Sequence, residues 1–385
     1  MWPDFSYILH SLIGTDPDNA FSVIKTFGLF LGIAFIASAS LLHLEFIRKE
    51  SQGLIKGRLE KIIIYKPLDY REILLQSLIN FILAFKVAYI FNHFDVFKND
   101  PAAILFSTKG NFLSGLILFV ITAIWYYYKM TKETEKEIIT KEVFINPQER
   151  VTNITFVAAI YGLIGSKLFS VLENFNSFIK DPIGEFFSGS GLTIYGGLIL
   201  AFIMVTRYVK SKGIRPLHMM DAAAPSLMIG YCVGRMGCHF SGDGDWGILN
   251  ETSKPSWFIL PDSWWAYSYP HNVLNEGTAI ANCTWKYCNE LIPSVYPTPL
   301  YEILLAGFIT LILWNLRTRI HRAGVLFFVY CLLNGIERFF IEFIRVNPRY
   351  DIGGLHLSLS QFIALSLIAI GIIGSWFYWK KNIRD

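Results

Sequence analysis

The sequence predicts an all-α integral membrane protein, a polytopic bundle of about nine transmembrane helices. Of its 385 residues 53% are hydrophobic and only 17% are charged, whereas soluble domains carry roughly 25% charged residues. The mean hydropathy is +0.41, and several apolar stretches are long enough to cross the ~30 Å hydrocarbon core of a bilayer. These values argue against soluble, disordered and coiled-coil proteins. The net charge of only +4 gives no reason to expect a nucleic-acid partner.

Apolar runs bounded by charged residues define the expected helices. The nine predicted spans are residues 21–47, 73–91, 102–128, 151–175, 190–208, 217–240, 297–316, 324–344 and 357–379. The connections that follow the odd-numbered spans, together with the C-terminal tail, hold most of the 34 lysines and arginines. Because short basic loops stay in the cytoplasm, we expect the N-terminus outside and the C-terminus in the cytoplasm.

With this orientation the longest connection, residues 241–296, is an outer, periplasmic loop. It is rich in Trp, Tyr, Pro and Asn and contains Cys283 and Cys288. In an oxidising compartment these cysteines can close a short disulfide, and the alternative is two unpaired thiols. The sequence leaves both alternatives open. The other three cysteines lie in apolar stretches, where buried thiols are expected.

The outer end of span six combines glycines with an arginine and a histidine. Gly234, Arg235, Gly237 and His239 follow closely on one another, and charged side chains within a membrane are costly enough to indicate function. Glycines let a ligand approach the backbone, and arginine binds phosphate through two parallel hydrogen bonds. This combination suits a phospholipid head group. The alternative is a glycine-rich helix end whose arginine extends to the membrane surface.

The outer ends of three further spans are also polar. In span eight Arg338 and Glu342 are four residues apart and Arg345 follows three residues later, so these side chains can also form a purely structural ladder of ion pairs. The polar residues that begin spans five and seven are Tyr195, Gly196, Gly197, Tyr301 and Glu302. Four helices thus carry polar residues on one side of the membrane, which predicts an outward-facing polar cavity in the bundle.

These polar motifs and their order along the chain resemble those of the bacterial prolipoprotein diacylglyceryl transferases. The principal motifs are Gly234-Arg235-Met236-Gly237-Cys238, Pro297-Thr298-x-Leu300-Tyr301-Glu302 and Arg338-Phe339-x-x-Glu342-Phe343-x-Arg345. Supporting matches are Gly162-x-x-Gly165-x-Lys167, Tyr195-Gly196-Gly197-Leu198-Ile199, and Asp221 with Pro225. The resemblance covers residues 151–385 and the pair Phe27-Gly28 in span one.

The resemblance implies a multi-pass enzyme of the bacterial inner membrane. Such an enzyme moves the diacylglyceryl group of phosphatidylglycerol to the lipobox cysteine of a prolipoprotein signal peptide, in the first step of lipoprotein maturation. A thioether forms, glycerol 1-phosphate leaves, and the implied reaction needs no metal or other cofactor. One alternative is a non-catalytic phospholipid- or lipoprotein-binding membrane protein derived from this family. Another is a secondary transporter, for which broken helices in an inverted repeat would be expected.

The resemblance also implies roles for individual residues. The expected catalytic residues are Arg235, Arg338, Glu342, Tyr195 and His239, and the expected substrate-binding residues are Gly234, Gly237, Gly196, Gly197, Tyr301, Glu302 and Arg345. Arg235 and Arg338 would bind the lipid phosphate. Glu342 would orient Arg338, and Tyr195 would contact lipid or substrate.

Two departures from the family pattern concern proton carriers. The family generally has His where Tyr195 stands and Tyr where Phe27 stands. We therefore hypothesise that His239, one helical turn after Arg235, replaces the missing general base. The alternative is that His239 is a helix-end residue bound to water or to Asp243.

The family plan has seven membrane helices, to which this chain would add two. The expected parts are an interfacial segment at 1–20, the first core helix at 21–47, a cytoplasmic linker with the two extra helices at 48–150, and the catalytic core with its outer loop at 151–385. The extra helices share one spacing with spans four and five. Two phenylalanines follow Lys86 at the same distances as two others follow Lys167, a similarity that chance also explains.

Overall fold

The computed structural model describes residues 1–65, 68–99, 101–105, 107–132, 138–182, 193–352 and 355–381. The helices are α1 Phe5–Ile13, α2 Thr26–Ser51, α3 Tyr70–Asn92, α4 Phe94–Asn99, α5 Pro101–Leu105, α6 Phe112–Lys132, α7 Val151–Glu173, α8 Phe175–Lys180, α9 Ile194–Ser211, α10 Pro216–Ser241, α11 Asp262–Trp265, α12 Thr298–Leu316, α13 Val325–Ile341 and α14 Leu359–Lys381. Short 3-10 helices cover Ala20–Val23, Pro147–Arg150 and Glu342–Ile344.

Six short strands form three antiparallel pairs. They are β1 Arg58–Tyr65 with β2 Ile139–Ile145, β3 Thr278–Ala279 with β4 Asn289–Glu290, and β5 Arg349–Ile352 with β6 Leu355–Ser358. Parts of the predicted organisation lie outside the described residues. In the predicted linker and extra helices at 48–150 these are residues 66–67, 100, 106 and 133–137, and in the predicted core at 151–385 they are residues 183–192, 353–354 and 382–385.

Within the residues that the structure describes, seven helices are long and apolar enough to cross a membrane, which confirms a polytopic helix bundle. They are Thr26–Ser51, Tyr70–Asn92, Phe112–Lys132, Pro147–Glu173, Ile194–Ser211, Thr298–Leu316 and Leu359–Lys381. The predicted spans six and eight coincide with α10 and α13, which are helical but do not meet the same test. Helix α13 has only 17 residues, and α10 is long enough but less apolar. The count of nine spans and the orientation of the termini stay predictions.

The first of two compact units comprises residues 1–56, 147–155 and 206–385. Helix α10 packs against α2, α12 and α13, and α13 packs in turn against α14. The buried apolar core of this unit is formed by Ala224, Met228, Cys232, Ala306, Ile309, Leu313 and Leu326. Because α10 has helices on several sides, its polar side chains can meet protein groups instead of lipid, which is the setting in which membrane helices tolerate them.

The second compact unit comprises residues 57–146 and 156–205. Strands β1 and β2 pair with Arg58 opposite Ile145, and α3 packs against α6. Each of the two strands is followed by two long helices, α3 and α6 after β1 and α7 and α9 after β2. The short helices α4 and α5 lie between the first pair, and α8 lies between the second pair. The two lysines with the shared spacing, in α3 and α7, therefore occupy equivalent elements.

The predicted outer loop, residues 241–296, folds within the first unit around a small core. This core consists of Trp246, Tyr269 and Val295. Cys283 and Cys288 form a disulfide with their Cα atoms 5.6 Å apart, so of the two alternatives for these cysteines the structure has the disulfide. Helix α1 docks beside it, because the backbone N–H of Tyr287 donates to the hydroxyl of Tyr7 at 3.3 Å.

Candidate functional site

Glu302 lies at the centre of a network of charged residues. It is 0% exposed and is the fifth residue of α12. Its Oε1 accepts hydrogen bonds from the Tyr231 hydroxyl at 2.9 Å and from Nη1 of Arg338 at 3.1 Å. Its Oε2 lies 3.2 Å from Nε of Arg235 and 3.4 Å from Nη1 of Arg345. One carboxylate thereby joins side chains from α10, α13 and the segment that follows α13.

Asp245 forms a second bridge in this network. Its two carboxylate oxygens pair with Nη1 of Arg235 and Nη2 of Arg345. Its backbone carbonyl accepts a hydrogen bond from the Thr298 hydroxyl at 2.7 Å, which holds the loop after α10 against the start of α12. Burial alone would raise the pKa of Asp245, but the two guanidinium groups outweigh it and lower this pKa to about 2.

Glu342 fixes the other side of Arg338. Its Oε2 lies 2.9 Å from Nη2 of Arg338, and its Oε1 accepts a hydrogen bond from the Ser358 hydroxyl at 2.8 Å. The predicted partner of Glu342 three residues later is not its partner in the described structure. Helix α13 ends at Ile341, a 3-10 turn follows, and Arg345 instead contacts Asp245 and Glu302.

The charges of the network balance. Three guanidinium groups and three carboxylates take part, from Arg235, Arg338, Arg345, Asp245, Glu302 and Glu342. The arginine side chains are only 10–19% exposed. Within the described residues, Nη2 of Arg235 and Nε of Arg338 have no hydrogen-bond partner. The site therefore keeps unused N–H donors on two arginines, a suitable arrangement for an incoming phosphate.

His239 faces an apolar cavity beside the network. Its Nδ1 lies 3.3 Å from the Tyr269 hydroxyl, so within the described chain its partner is this tyrosine and not Asp243. The cavity has a volume of about 340 Å³. Its lining residues are Met236, His239, Phe240, Ser263, Trp264, Tyr267, Leu300 and Ile303. The histidine can therefore meet a largely apolar ligand one helical turn from Arg235.

Comparison with known proteins agrees with the motifs. The family model described as prolipoprotein diacylglyceryl transferase matches residues 115–377, a range that contains the whole charged network. The chain belongs to the prolipoprotein diacylglyceryl transferase family.

Two relatives illustrate the degree of similarity. A phosphatidylglycerol–prolipoprotein diacylglyceryl transferase of Clostridium tetani is 30% identical over 225 residues, which are 58% of this chain and 79% of the relative. One of Streptococcus pyogenes serotype M5 is 26% identical over 265 residues, which are 68% of this chain and 86% of the relative.

The family motif at the start of α9 lies in the second compact unit, whereas the charged network lies in the first. Tyr195 is half-buried. Gly196 and Gly197 pack against α7, and a Cβ atom added to them would lie 2.6 Å and 2.7 Å from the carbonyl oxygens of Gly165 and Gly162. Small residues allow such close helix contacts in membranes. Close packing thus accounts for these two glycines, and their expected contact with substrate stays a prediction.

The other predicted binding residues have distinct surroundings. A Cβ atom on Gly237 would lie 3.0 Å from Cβ of Phe30 in α2, while one on Gly234 would meet nothing within 4 Å. The Tyr301 hydroxyl donates to the carbonyl of Trp264 at 2.7 Å. Gly237 therefore serves close packing, Tyr301 ties α12 to the outer loop, and Gly234 leaves open space beside Arg235.

Three polar residues of this region are not among the predicted site residues. Tyr231 lies one turn before Arg235, and its ring is 5.2 Å from that guanidinium; the four-residue spacing could have indicated it. Asp245 had only its unusual position after glycines as a signal. Glu337 is 5% exposed, and neither of its carboxylate oxygens accepts a hydrogen bond within the described chain. No sequence pattern distinguishes this glutamate from its neighbours.

One group of side chains has the composition of a metal site. Ligand atoms of Cys238, Asp243 and Asp245 lie within 4.8 Å of one another. Asp245 is already paired with two guanidinium groups, and burial together with the charge of Asp245 raises the pKa of Asp243. These groups therefore offer little uncompensated negative charge to a cation, and we assign them no ligand.

Proposed function

We propose that this protein transfers the diacylglyceryl group of phosphatidylglycerol to the lipobox cysteine thiol of prolipoproteins. The thiol sulfur attacks the carbon of the diacylated glycerol that is bonded to the phosphate oxygen. A C–S bond forms, the C–O bond to phosphate breaks, and glycerol 1-phosphate leaves with that electron pair. The observation that carries the proposal is the convergence of Arg235 and Arg338 on the buried carboxylate of Glu302.

Arg235 and Arg338 bind the lipid phosphate in this proposal. Negative charge accumulates on the leaving phosphate as the C–O bond breaks, and fixed guanidinium donors in a water-poor site stabilise that charge. The unused donors Nη2 of Arg235 and Nε of Arg338 supply the first contacts. Glu342 is a positioning residue, because its ion pair holds Arg338.

The remaining ion pairs prepare the site. Arg345 is bound to both Asp245 and Glu302, so it neutralises the carboxylates that hold Arg235. Without lipid the network is electrically balanced, which avoids the large cost of burying unpaired charge. A bound phosphate shifts this balance by taking over part of the guanidinium donors.

The nucleophile belongs to the substrate, and its proton must be accepted. A thiol with an ordinary pKa near 8.5 is mostly protonated at neutral pH, and the thiolate is the reactive form. We assign the proton to His239, which stands between the network and the apolar cavity. That cavity would hold an apolar part of the lipid or of the signal peptide. Tyr195, Gly196 and Gly197 of α9 keep their proposed roles, Tyr195 in catalysis and the two glycines in substrate binding.

The proposed setting is the bacterial inner membrane. Nine spans with the N-terminus outside would place the charged network near the outer surface of the membrane. The basic connections at the opposite ends of the helices would then lie in the cytoplasm. Residues 151–385 with the first core helix would then form the catalytic core, to which the chain adds the two extra helices.

A second candidate function is non-catalytic binding of phospholipid or lipoprotein. It is favoured by one observation, since Tyr195 and Phe27 stand where the family generally carries His and Tyr. A protein of this kind would retain the arginine network and bind phosphatidylglycerol without transferring its diacylglyceryl group.

Complementation tests the activity directly. Cells depleted of their own diacylglyceryl transferase should grow when they express this chain, and should not grow with Arg235→Gln. Arg319→Gln is the matched control, because Arg319 is exposed and lies outside the network. Purified protein incubated with phosphatidylglycerol and a lipobox peptide should add a diacylglyceryl mass to the peptide. Well-expressed, inserted protein that binds the lipid but leaves the peptide unmodified would establish the binding function instead.

A further inference from the structure

A second cavity, which is polar, lies at the end of α10 that is opposite to the charged network. Its volume is about 170 Å³, several times the ~30 Å³ that a water molecule occupies in the liquid. Its lining residues are Arg48, Lys49, Gln52, Leu54, His218, Asp221, Ile320, His321, Arg322 and Ala323. Asp221 precedes Arg235 by 14 residues, which is roughly 21 Å along the helix axis. The cavity is therefore separate from the proposed active site.

Lys49 is the exceptional residue of this cavity. It lies in the last turns of α2 and is only 4% exposed. Among the residues that the structure describes, its ammonium group has no hydrogen bond and no ion pair within 4.0 Å. A buried ammonium group without such a partner is costly. A ligand that brings negative charge into the cavity would remove this cost.

The acidic groups nearby are engaged elsewhere. Both oxygens of Asp221 accept backbone N–H donors at the start of α13, from Gly324 at 2.7 Å and Phe327 at 3.0 Å. Glu45 is 0% exposed and pairs with Arg48 at 2.7 Å and Arg317 at 2.6 Å. These carboxylates thus hold a helix end and two arginines in place.

A second cation completes the cavity. The Arg322 guanidinium lies over the Trp379 ring, 4.5 Å from its centroid, and has no ion pair within the described chain. Two carboxylates, Glu45 and Asp221, stand against four cations in and around the cavity, so the surroundings have a positive excess. These cations are Arg48, Lys49, Arg317 and Arg322. Two cations that approach from α2 and from the turn before α13 suit a compact anion with several acceptor oxygens.

We propose that this cavity binds the phosphate group of a second anionic ligand. Lys49 and Arg322 hold the phosphate, and the indole of Trp379 keeps Arg322 oriented toward it. The ligand is either a soluble phosphate ester or the head group of a phospholipid, since the cavity lies at the ends of membrane helices. This site takes no part in the transfer reaction proposed above.

The test measures phosphate binding to the full-length protein in an Arg235→Gln background, which weakens the proposed active-site contact. Inorganic phosphate and glycerol phosphate are titrated in detergent, and phosphatidylglycerol is counted by native mass spectrometry after release from nanodiscs. Lys49→Met and Arg322→Gln should each weaken binding at least tenfold, whereas Lys49→Arg should retain it. Lys56→Met is the matched control, because Lys56 is exposed on the segment that follows α2.

The outcomes are distinct. Binding of the soluble phosphates that depends on Lys49 identifies a soluble ester, and dependence seen only for phosphatidylglycerol identifies a head group. The proposal is overturned if no probe shows binding that depends on Lys49, or if Lys56→Met weakens binding equally. Should Lys49→Met fail to fold, the half-buried Arg322 carries the test. The activity of Lys49→Arg with Arg235 intact, measured in the lipobox assay, reports separately on the proposed function.

Discussion

Arg338 and Glu302, on the consecutive helices α13 and α12, meet at 3.1 Å although they are 36 residues apart in the chain. The contact joins the end of α13 to the beginning of α12. Because Glu302 also contacts Arg235 and Arg345, the loss of this carboxylate would affect three arginines at once.

Replacement of Glu302 by Gln should destabilise the protein by about 3 kcal/mol, since removal of one partner from a buried ion pair leaves the other charge uncompensated. The amide retains the volume and a hydrogen bond to Tyr231. Thermal unfolding in detergent measures the change. Glu251→Gln is the control, because Glu251 is exposed in the outer loop. Equal stability of the two variants would contradict the central position of Glu302.

Replacement of Arg235 by Lys should lower kcat/KM for phosphatidylglycerol about 100-fold. Lysine retains the charge but lacks the planar fork, and it cannot contact Asp245, Glu302 and a phosphate together. Transfer of labelled diacylglyceryl to a lipobox peptide gives the rate. Arg319→Lys should be as active as the unmodified protein. If Arg235→Lys is equally active, a point charge suffices and the two-arginine phosphate site is wrong.

Removal of the imidazole in His239→Ala should lower kcat about 100-fold, the lower range for loss of a general base, and should leave lipid binding nearly unchanged. The pH dependence of kcat should flatten as well, a change that a packing defect would not produce. Ser263→Ala, in the same cavity, is the matched control. Full lipidation activity of His239→Ala would remove this residue from the mechanism and would direct attention to the buried Glu337.

Asp245 should make stability sensitive to acid. Its pKa is about 2 in the folded protein against 3.8 as the ordinary value. A lowered folded pKa adds stability that is complete above about pH 4 and is lost as the pH falls toward 2. The difference corresponds to about 2 kcal/mol. Asp245→Asn should therefore be less stable at pH 7 but equal to the parent at pH 2, as measured by unfolding at both values.

Asp243→Asn provides the contrast. Its folded pKa is raised, so its charge opposes folding at neutral pH, and its removal should not reduce stability there. A loss of stability in Asp243→Asn as large as in Asp245→Asn would mean that both carboxylates act through packing.

The sequence was sufficient to predict the helical membrane bundle, because apolar length and charge placement are local properties of the chain. It also indicated that polar residues lie at the end of α10, the start of α12 and the end of α13, and predicted that these helix ends share one side of the membrane. The pairing among them could not be predicted. Arg345 was expected to face Glu342, but the change from α-helix to 3-10 geometry after Ile341 turns it toward Asp245, a residue from a distant loop. Such contacts depend on tertiary structure that spacing does not encode.

Helices α10 and α13 show a related limit of hydropathy. The mean hydropathy of α10 is too low to indicate a membrane span, and α13 is too short, although both helices coincide with predicted spans. Their polar residues are stabilised by partners on other helices. The Asp221 carboxylate of α10, for example, accepts a hydrogen bond from the backbone N–H of Gly324 at the start of α13. A hydropathy profile treats each residue as if it faced lipid, and it therefore undervalues helices that are enclosed by protein.

The pairing of β1 with β2 brings together the two ends of the segment that carries α3 and α6. Arg58 and Ile145 lie opposite each other, so the chain enters and leaves this segment at one place. Among the described residues of the segment, two helices, α3 and α6, are long and apolar enough to cross a membrane. Two crossings would return the chain to the side from which it started, so the segment would leave the direction of every later helix unchanged.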